Sequence, residues 1–202
     1  MRTILIIAGA LALSACISVL PDAPPASARF QVTDVTFDAA PVQPAAWSLS
    51  IEEPMATRAY DTANIALSRA PAQIEYYAGG EWVDRAPRLF GAALVRSFEN
   101  AGAIRNVGAF STVPLGDFAL QTDIRRFGAV FDGGRVDAKV EVFARLTNGR
   151  GKVYASRMFT ASNDAGGDQP GAVARALNAG ATQVQREIVA WTLEEANAAY
   201  AK

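Results

Sequence analysis

The chain has 202 residues, half of them hydrophobic, which is enough to bury the core of one globular domain. Its 19 basic and 20 acidic side chains give a formal net charge of -1. This balance excludes the strongly basic surface that nucleic-acid binding requires and the polybasic patch of many membrane-surface proteins.

The first 15 residues have the pattern of a removable secretory signal. A basic start precedes an apolar run over residues 4–13, which is too short to cross a bilayer comfortably. The run ends in Leu-Ser-Ala-Cys, which resembles a bacterial lipobox. We therefore expect Cys16, the only cysteine, to receive a diacylglyceryl group and become the mature N-terminus. The alternative is an ordinary signal peptide beside an accidental cysteine.

The residue after the lipobox cysteine is Ile17. An aspartate at this place typically holds lipoproteins on the inner membrane, so isoleucine predicts sorting to the outer membrane, on its periplasmic face. We expect a proline-rich lipidated tether over residues 16–28, one domain over residues 29–193 and a polar C-terminal tail over residues 194–202.

Alternating apolar residues predict several strands. Apolar pairs at Phe30 and Val32 and at Val35 and Phe37 indicate a first strand, although their phase slips in the middle. Residues 47–51 alternate cleanly, as is typical of a half-buried strand. Further short strands are predicted at residues 64–67, 74–77 and 103–110.

The second half of the chain predicts an antiparallel meander of three strands, over residues 118–131, 136–146 and 153–159. A change of phase at two adjacent arginines in the first strand predicts a β-bulge, and an Asn-Gly pair predicts the second hairpin turn. A glycine-rich loop over residues 164–168 carries two aspartates. It lacks the spaced acidic ligands of a calcium loop, so we interpret it as a turn with a helix N-cap.

Two amphipathic helices complete the predicted domain. The first starts near Arg85, with Asp84 as its N-cap and Pro87 in its first turn, and ends at a glycine. The second starts at Pro170 and carries an apolar stripe as far as Trp191, after which we expect it to project or fray. Strands in one mostly antiparallel sheet with two long helices on one face make a two-layer α+β domain.

The order of motifs over residues 53–102 resembles that of one family. The series is Glu53-Pro54, then Tyr60-Asp61-Thr62, Asn64-Ile65-Ala66-Leu67, YYAG, W-x-D and a proline-led helix that ends F-E-x-x-G. It is similar to the auxiliary lipoproteins of ABC-type transporters that work with mammalian-cell-entry (MCE) domain proteins. The likeness extends over residues 47–191, and Asp61, Asp84 and Pro87 belong to its structural motif.

The resemblance implies an outer-membrane lipoprotein that acts as a non-catalytic component of a transport system for phospholipid or another hydrophobic cargo. Its partners would be an MCE-domain protein and, indirectly, permease and ATPase subunits; a homo-oligomer is also compatible. A structural lipoprotein that braces an outer-membrane assembly would have the same lipobox and the same domain. Neighbouring reading frames that encode the transport subunits would separate these hypotheses.

The composition excludes much catalytic chemistry. The chain has no histidine and one cysteine, so Ser-His and Cys-His nucleophiles and the usual zinc or copper sites cannot be built. No phosphate-binding glycine motif is present, so we expect no cofactor, and another subunit would bind ATP. A carboxylate pair, as in cell-wall glycosidases, is the remaining option. Asp61, Asp84 and Asp123 are candidates, but no spacing selects two of them.

The candidate partner-binding residues are aromatic. Tyr76, Tyr77 and Trp82 lie within seven positions around a diglycine turn, and such rings are favoured at interfaces. Packing within the domain explains these three residues equally well. Phe143, which stands among the charged residues of its strand, is the fourth candidate.

Overall fold

The computed structural model describes residues 27–38 and 43–202. Cys16, the signal and most of the predicted tether lie outside the described residues. Within these ranges the chain forms nine strands and two helices, in the order β1 (Ala28–Phe30), β2 (Ala45–Ile51), β3 (Met55–Ala56), β4 (Asn64–Ser68), β5 (Glu75–Trp82), α1 (Ala86–Ala101), β6 (Ile104–Ala109), β7 (Phe118–Asp132), β8 (Arg135–Thr147), β9 (Val153–Asp164) and α2 (Pro170–Tyr200).

The longest strand, β7, organises the sheet. One of its edges pairs antiparallel with β8, which pairs antiparallel with β9. Its other edge pairs in turn with β2, β3 and β4, each of them parallel to β7. Beyond these, β6 extends the sheet from β2, while β5 and β1 extend it from β4. The predicted α+β class, with a mostly antiparallel sheet, is confirmed.

Side-chain alternation positions the sheet against the helices. Every second residue of β8 from Val136 to Leu146 is at most 3% exposed, and the intervening charged residues lie on the opposite face. The register of β7 shifts between Ile124 and Arg126, which confirms the predicted bulge. The bulge allows both halves of this long strand to turn apolar side chains toward the helices.

Both helices pack on the face of the sheet that carries the buried residues of β8. The buried face of α1 includes Phe90, Leu94 and Phe98, as its three- and four-residue spacing predicts. The helix ends at Gly102, whose φ of 58° is the left-handed conformation that favours glycine. The second helix packs on β7, β8 and β9. Neither helix of the described ranges combines the length and the apolar character needed to cross a membrane.

The C-terminal part of α2 differs from the prediction. The helix continues to Tyr200, so the expectation that the chain frays after Trp191 is wrong. Ala196 is completely buried, and Asn197 accepts a hydrogen bond of 2.8 Å from the indole N–H of Trp47. The last turns remain helical because Ala196 packs in the core and Trp47 of β2 provides a hydrogen-bond donor.

The first predicted strand also needs correction, since only Ala28–Phe30 pairs with the sheet. The following residues, 31–38, form an extended segment that we call the strap. Val32 and Val35 of the strap are each 3% exposed. Its polar backbone groups bond to side chains of the helices, so this segment needs no neighbouring strand.

Buried polar side chains of both helices hold the strap. The Ser97 hydroxyl of α1 accepts the Val35 N–H at 2.8 Å and lies 2.7 Å from the Gln185 Oε1 of α2. The Gln185 side-chain amide donates to the Thr33 carbonyl at 3.2 Å, and Asn178 accepts the Thr33 N–H at 2.8 Å. Ser97 and Gln185 are fully buried, so the bond from the Val35 N–H to Ser97 and the bond between Ser97 and Gln185 form away from water.

We expect Ser97→Ala to destabilise the domain. The substitution leaves the Val35 N–H and the Gln185 carbonyl oxygen without their partner in a buried site, which costs roughly 1–3 kcal/mol. Ser156→Ala, at an exposed position of β9, is the control and should change stability by less than about 0.5 kcal/mol. Chemical denaturation measures both variants. Equal stability of the two would contradict the role of the buried hydroxyl.

Candidate functional site

The two groups of family-like motifs meet at the start of α1, at a site that we call the motif junction (Glu53, Pro54, Asp61, Arg85 and Gly91). The guanidinium of Arg85 donates to Asp61 Oδ1 at 2.7 Å and to Glu53 Oε1 at 3.1 Å. It therefore joins two carboxylates that are separated along the chain. All three side chains are partly exposed, so their ion pairs define geometry more than they add stability.

Backbone hydrogen bonds complete the junction. The Trp82 N–H donates to the Ala63 carbonyl at 2.7 Å, and the Ala86 N–H donates to the Thr62 carbonyl at 3.1 Å. The segment after Asp61 thus accepts from the first turn of α1, where a helix lacks internal acceptors.

Asp84 does not cap α1, which corrects the prediction. The N-cap residue is Arg85, and it makes no side-chain cap hydrogen bond. The Asp84 carboxylate instead accepts the Arg85 N–H at 2.7 Å and lies 3.3 Å from Arg88. The next N–H is already bonded to Thr62, so the helix start needs no side-chain acceptor there. Pro87 occupies the first turn, as predicted.

A close contact between Pro54 and Gly91 fixes the distance between the motif junction and α1. A β-carbon built at Gly91 would lie 2.5 Å from Pro54 Cδ. Only glycine lets the helix approach the proline ring this closely.

A cavity of about 590 Å³ opens beside the motif junction, between α1 and the ends of β2 and β6. We call it the junction groove. Its walls are mostly apolar, and its rim carries Arg88, Glu52 and Glu53. It is lined by Ile51, Glu52, Glu53, Arg88, Gly91, Ala92, Val95, Ala109, Phe110 and Ser111. The Phe110 ring is 53% exposed at the groove. The volume falls in the range of small-molecule sites, and the walls suit an apolar group.

The three carboxylates considered for glycosidase chemistry each form an ion pair with an arginine in the described residues. Asp61 pairs with Arg85, Asp84 with Arg88 and Asp123 with Arg125, the last at 2.9 Å. Each candidate thus has an arginine of its own. Among the residues that the structure describes, no three side chains of the metal-binding types lie close enough to hold an ion.

Tyr77 belongs to a polar network at the start of α2. Its hydroxyl donates to Asp168 Oδ1 at 2.6 Å, and Arg69 donates to Asp168 Oδ2 at 2.8 Å. Burial, and then the hydrogen bond to Asp168, raise the pKa of the Tyr77 hydroxyl. The bonds from Tyr77 and Arg69 lower the pKa of Asp168. The glycine-rich loop before α2 is therefore fixed to β5, and its aspartate binds Tyr77 and Arg69 rather than capping the helix, whose N-cap Gln169 makes no side-chain bond.

The four aromatic candidates do not form one surface. Trp82 is 1% exposed and packs against Phe127 with ring centroids 5.4 Å apart, so it is a core residue that a partner cannot reach. Tyr76 is 45% exposed, and as the strand neighbour of Tyr77 it points to the opposite face. Phe143 is half-buried on β8, where the Arg145 guanidinium stacks 4.7 Å from its ring centroid.

Sequence reasoning missed residues that hold the motif junction and the Tyr77 network together. Arg85 was identified only as the residue near which α1 starts. No tertiary contact was predicted for Arg69, Gly91 or Asp168. Each acts on a residue distant in the chain, so local periodicity carries no signal for it. The conjunction of Glu53-Pro54 with Asp61 upstream of a helix-starting arginine is the one pattern that could have indicated the ion pairs.

We expect Gly91→Ala to destabilise the domain. Overpacking against Pro54 lowers the free energy of unfolding by roughly 1–3 kcal/mol. The better helix propensity of alanine raises it by no more than about 1 kcal/mol. In a Pro54→Ala background the same substitution should be nearly neutral or stabilising, because the ring that it meets is gone. Denaturation of the four proteins of this double-mutant cycle measures the coupling. Additive effects would contradict the contact.

The Tyr77 network predicts a stability change at alkaline pH. Tyrosine in the unfolded chain titrates near about pH 10. Since folding raises the pKa of Tyr77, its contribution is fully present below that pH and is lost as the pH rises toward the folded value. The free energy of unfolding of the wild-type protein should therefore fall above about pH 10. The free energy of unfolding of Tyr77→Phe should fall less steeply over the same range. Asp168→Asn should also flatten the profile. Parallel profiles in urea titrations at pH 8 to 11 would contradict this assignment.

The comparisons with known proteins agree with the fold and with the motif order. A family model described as "ABC-type transport auxiliary lipoprotein component" matches residues 31–189. Uncharacterized protein bll6063 of Bradyrhizobium diazoefficiens is 32% identical over 148 residues, which are 72% of this chain and 39% of the relative. The chain thus spans well under half the length of that curated relative.

Solved structures show the same architecture. Protein XCC0632 of Xanthomonas campestris is 29% identical, with a TM-score of 0.78 over 87% of this chain and 98% of that chain. The hypothetical protein CT253 of Chlamydia trachomatis, at 10% identity and a TM-score of 0.52, covers 75% of this chain and 98% of its own and shares the fold alone. Because the family model matches residues 31–189, which are most of this chain, the chain belongs to the ABC-type transport auxiliary lipoprotein family.

Proposed function

We propose that this protein is a non-catalytic, lipid-anchored component of an ABC transport system that works with an MCE-domain protein. Its cargo would be a lipid or another hydrophobic molecule that crosses the periplasm. The observation that carries this proposal is the family match over residues 31–189, which spans nearly all of the domain. The lipobox-like sequence before Cys16 supports it independently, because it lies outside the matched residues.

The lipid anchor is the first element of the proposal. The motif at Cys16 supports diacylglyceryl attachment, and Ile17 favours the outer membrane. One acyl chain gives only reversible binding, whereas two or more give stable anchoring. The domain would then be held on the periplasmic face by the residues before the strap.

The non-catalytic role is the second element. The sequence offers no histidine and no nucleotide-binding motif, so the energy of transport would come from an ATPase subunit. The three carboxylates that could have formed a glycosidase pair each contact an arginine. These contacts favour a role of the carboxylates in the structure of the domain.

The partner surface is the third element. Tyr76 supports a contact because its ring is 45% exposed and its hydroxyl makes only a long bond of 3.4 Å to the Ala59 carbonyl. Phe143 remains a second candidate on the outer face of the sheet. Tyr77 is already engaged by Asp168, and the Trp82 ring is in the core, so neither provides a free ring to a partner.

Copurification tests the proposal. The full-length tagged protein, extracted from cell envelopes in mild detergent, should bring an MCE-domain protein, a permease and an ATPase, as identified by mass spectrometry. Cys16→Ser should abolish the outer-membrane fraction of the protein. Capture of an outer-membrane assembly without transport subunits would favour the structural lipoprotein instead, and normal anchoring of Cys16→Ser would refute the lipid attachment.

Tyr76→Ala tests the partner surface within the same assay. An interface hot spot contributes about 2 kcal/mol, so its loss should weaken binding of the MCE protein roughly 30-fold without lowering the melting temperature. Tyr200→Ala is the matched control, since this ring is 56% exposed at the end of α2. Unchanged binding of Tyr76→Ala would place the contact elsewhere.

A further inference from the structure

β9 is an edge strand of unusual length. It pairs along one side with β8, and in the described part of the chain no strand pairs with its other side. Its ladder with β8 is regular from Ala155 to Asp164, with a register shift only before that segment. A regular strand of this length presents a continuous row of unpaired N–H and C=O groups.

The edge lacks the features that usually protect such strands. Twelve residues contain no proline and only two charged side chains, Arg157 and Asp164. Ser156, Arg157, Met158 and Thr160 are all exposed. α2 covers Phe159 of this segment through Trp191 and leaves these four side chains uncovered. Protected edges normally carry prolines, bulges, several charges or a cover.

We infer that β9 pairs antiparallel with β9 of a second copy of this chain, about a two-fold axis that passes through Met158. The two sheets would then join into one continuous sheet. A two-fold interface requires a surface that is complementary to itself, and the sequence of β9 around Met158 meets this requirement.

The Met158 register produces compatible pairs on both faces. On the outer face, Met158 lies opposite Met158 of the partner subunit, and Ser156 lies opposite Thr160 of the partner subunit. On the helix face, Arg157 lies opposite Phe159 of the partner subunit. The Arg157 guanidinium stacks 5.2 Å from the Phe159 ring centroid of its own chain, and the Phe159 ring is 1% exposed. Both side chains therefore keep their intrachain contact in this register, and no like charges meet on the helix face.

Neighbouring registers are less favourable. A two-fold axis at Arg157 would place two guanidinium groups directly opposite each other, which is destabilising. A shift of a single residue would oppose inward and outward side chains, so the faces of the two sheets would no longer match. An axis at Phe159 would place Met158, which is 45% exposed, opposite Thr160 of the partner subunit and lose the contact between the two methionines.

Cysteine substitutions in the full-length chain test the register in cells. Opposed residues of an antiparallel pair have Cα atoms about 4.5–5.5 Å apart, within reach of a disulfide. Met158→Cys should give a covalent dimer on a non-reducing gel. Ser156→Cys alone should not, because the two copies of residue 156 would be offset by four positions, or roughly 13 Å. Ser156→Cys combined with Thr160→Cys should restore the dimer.

The outcomes separate the possibilities. A monomeric Met158→Cys protein of normal abundance and melting temperature would overturn the inference. Equal crosslinking by Ser156→Cys alone would indicate random collision and overturn it too. A Met158→Cys adduct with another protein, identified by mass spectrometry, would show that the edge serves a different partner.

A second measurement uses charge instead of crosslinking. Met158→Lys would place two ammonium groups opposite each other and should halve the mass of the detergent-extracted protein in analytical ultracentrifugation. Val83→Lys, at another exposed apolar residue, is the control and should leave the mass unchanged. A Met158→Lys protein with the wild-type mass would contradict the pairing.

Discussion

Hydrogen bonding along both edges of β7 is the constraint on which the rest of the domain depends. One edge takes the whole of β8, while the other is shared by three short parallel strands in succession. The strands β2, β3 and β4 have two to seven residues each, too few to form a stable sheet alone. Each gains its position from β7, and the bulge near Arg126 keeps both halves of β7 facing the same helices.

The motifs that carry the family likeness have a structural role at the junction. Glu53 and Asp61 bind Arg85, Pro54 packs on Gly91, and the backbone after Asp61 accepts from the first turn of α1. These contacts fix the start of α1 relative to β2 and β4. Glu53 and Gly91 also line the junction groove, so residues that define the fold shape this apolar cavity as well.

Local periodicity predicted the elements whose apolar residues repeat. β8 and α1 followed from spacing alone, and the bulge in β7 followed from its change of phase. The parallel pairing of β2, β3 and β4 with β7 could not be derived from the sequence. Alternation of apolar residues indicates which face of a strand is buried, but it does not indicate which strand lies beside it. Trp82 was misjudged as an interface candidate, since a ring after a turn can face either way. The buried end of α2 was missed because its donor, Trp47, lies 150 positions earlier in the chain.

The strap has a consequence for the order in which the domain forms. Its hydrogen bonds join Thr33 to Asn178 and Gln185, residues 145 and 152 positions later. A chain is synthesised from its N-terminus, and contacts this distant in sequence form slowly. The strap has only the part of its binding site that α1 provides, including Ser97, until α2, the last element, has been made and packed. The described segment nearest the N-terminus thus depends on the last helix for its full set of hydrogen bonds, and its two buried valines, Val32 and Val35, tie the two ends of the domain together.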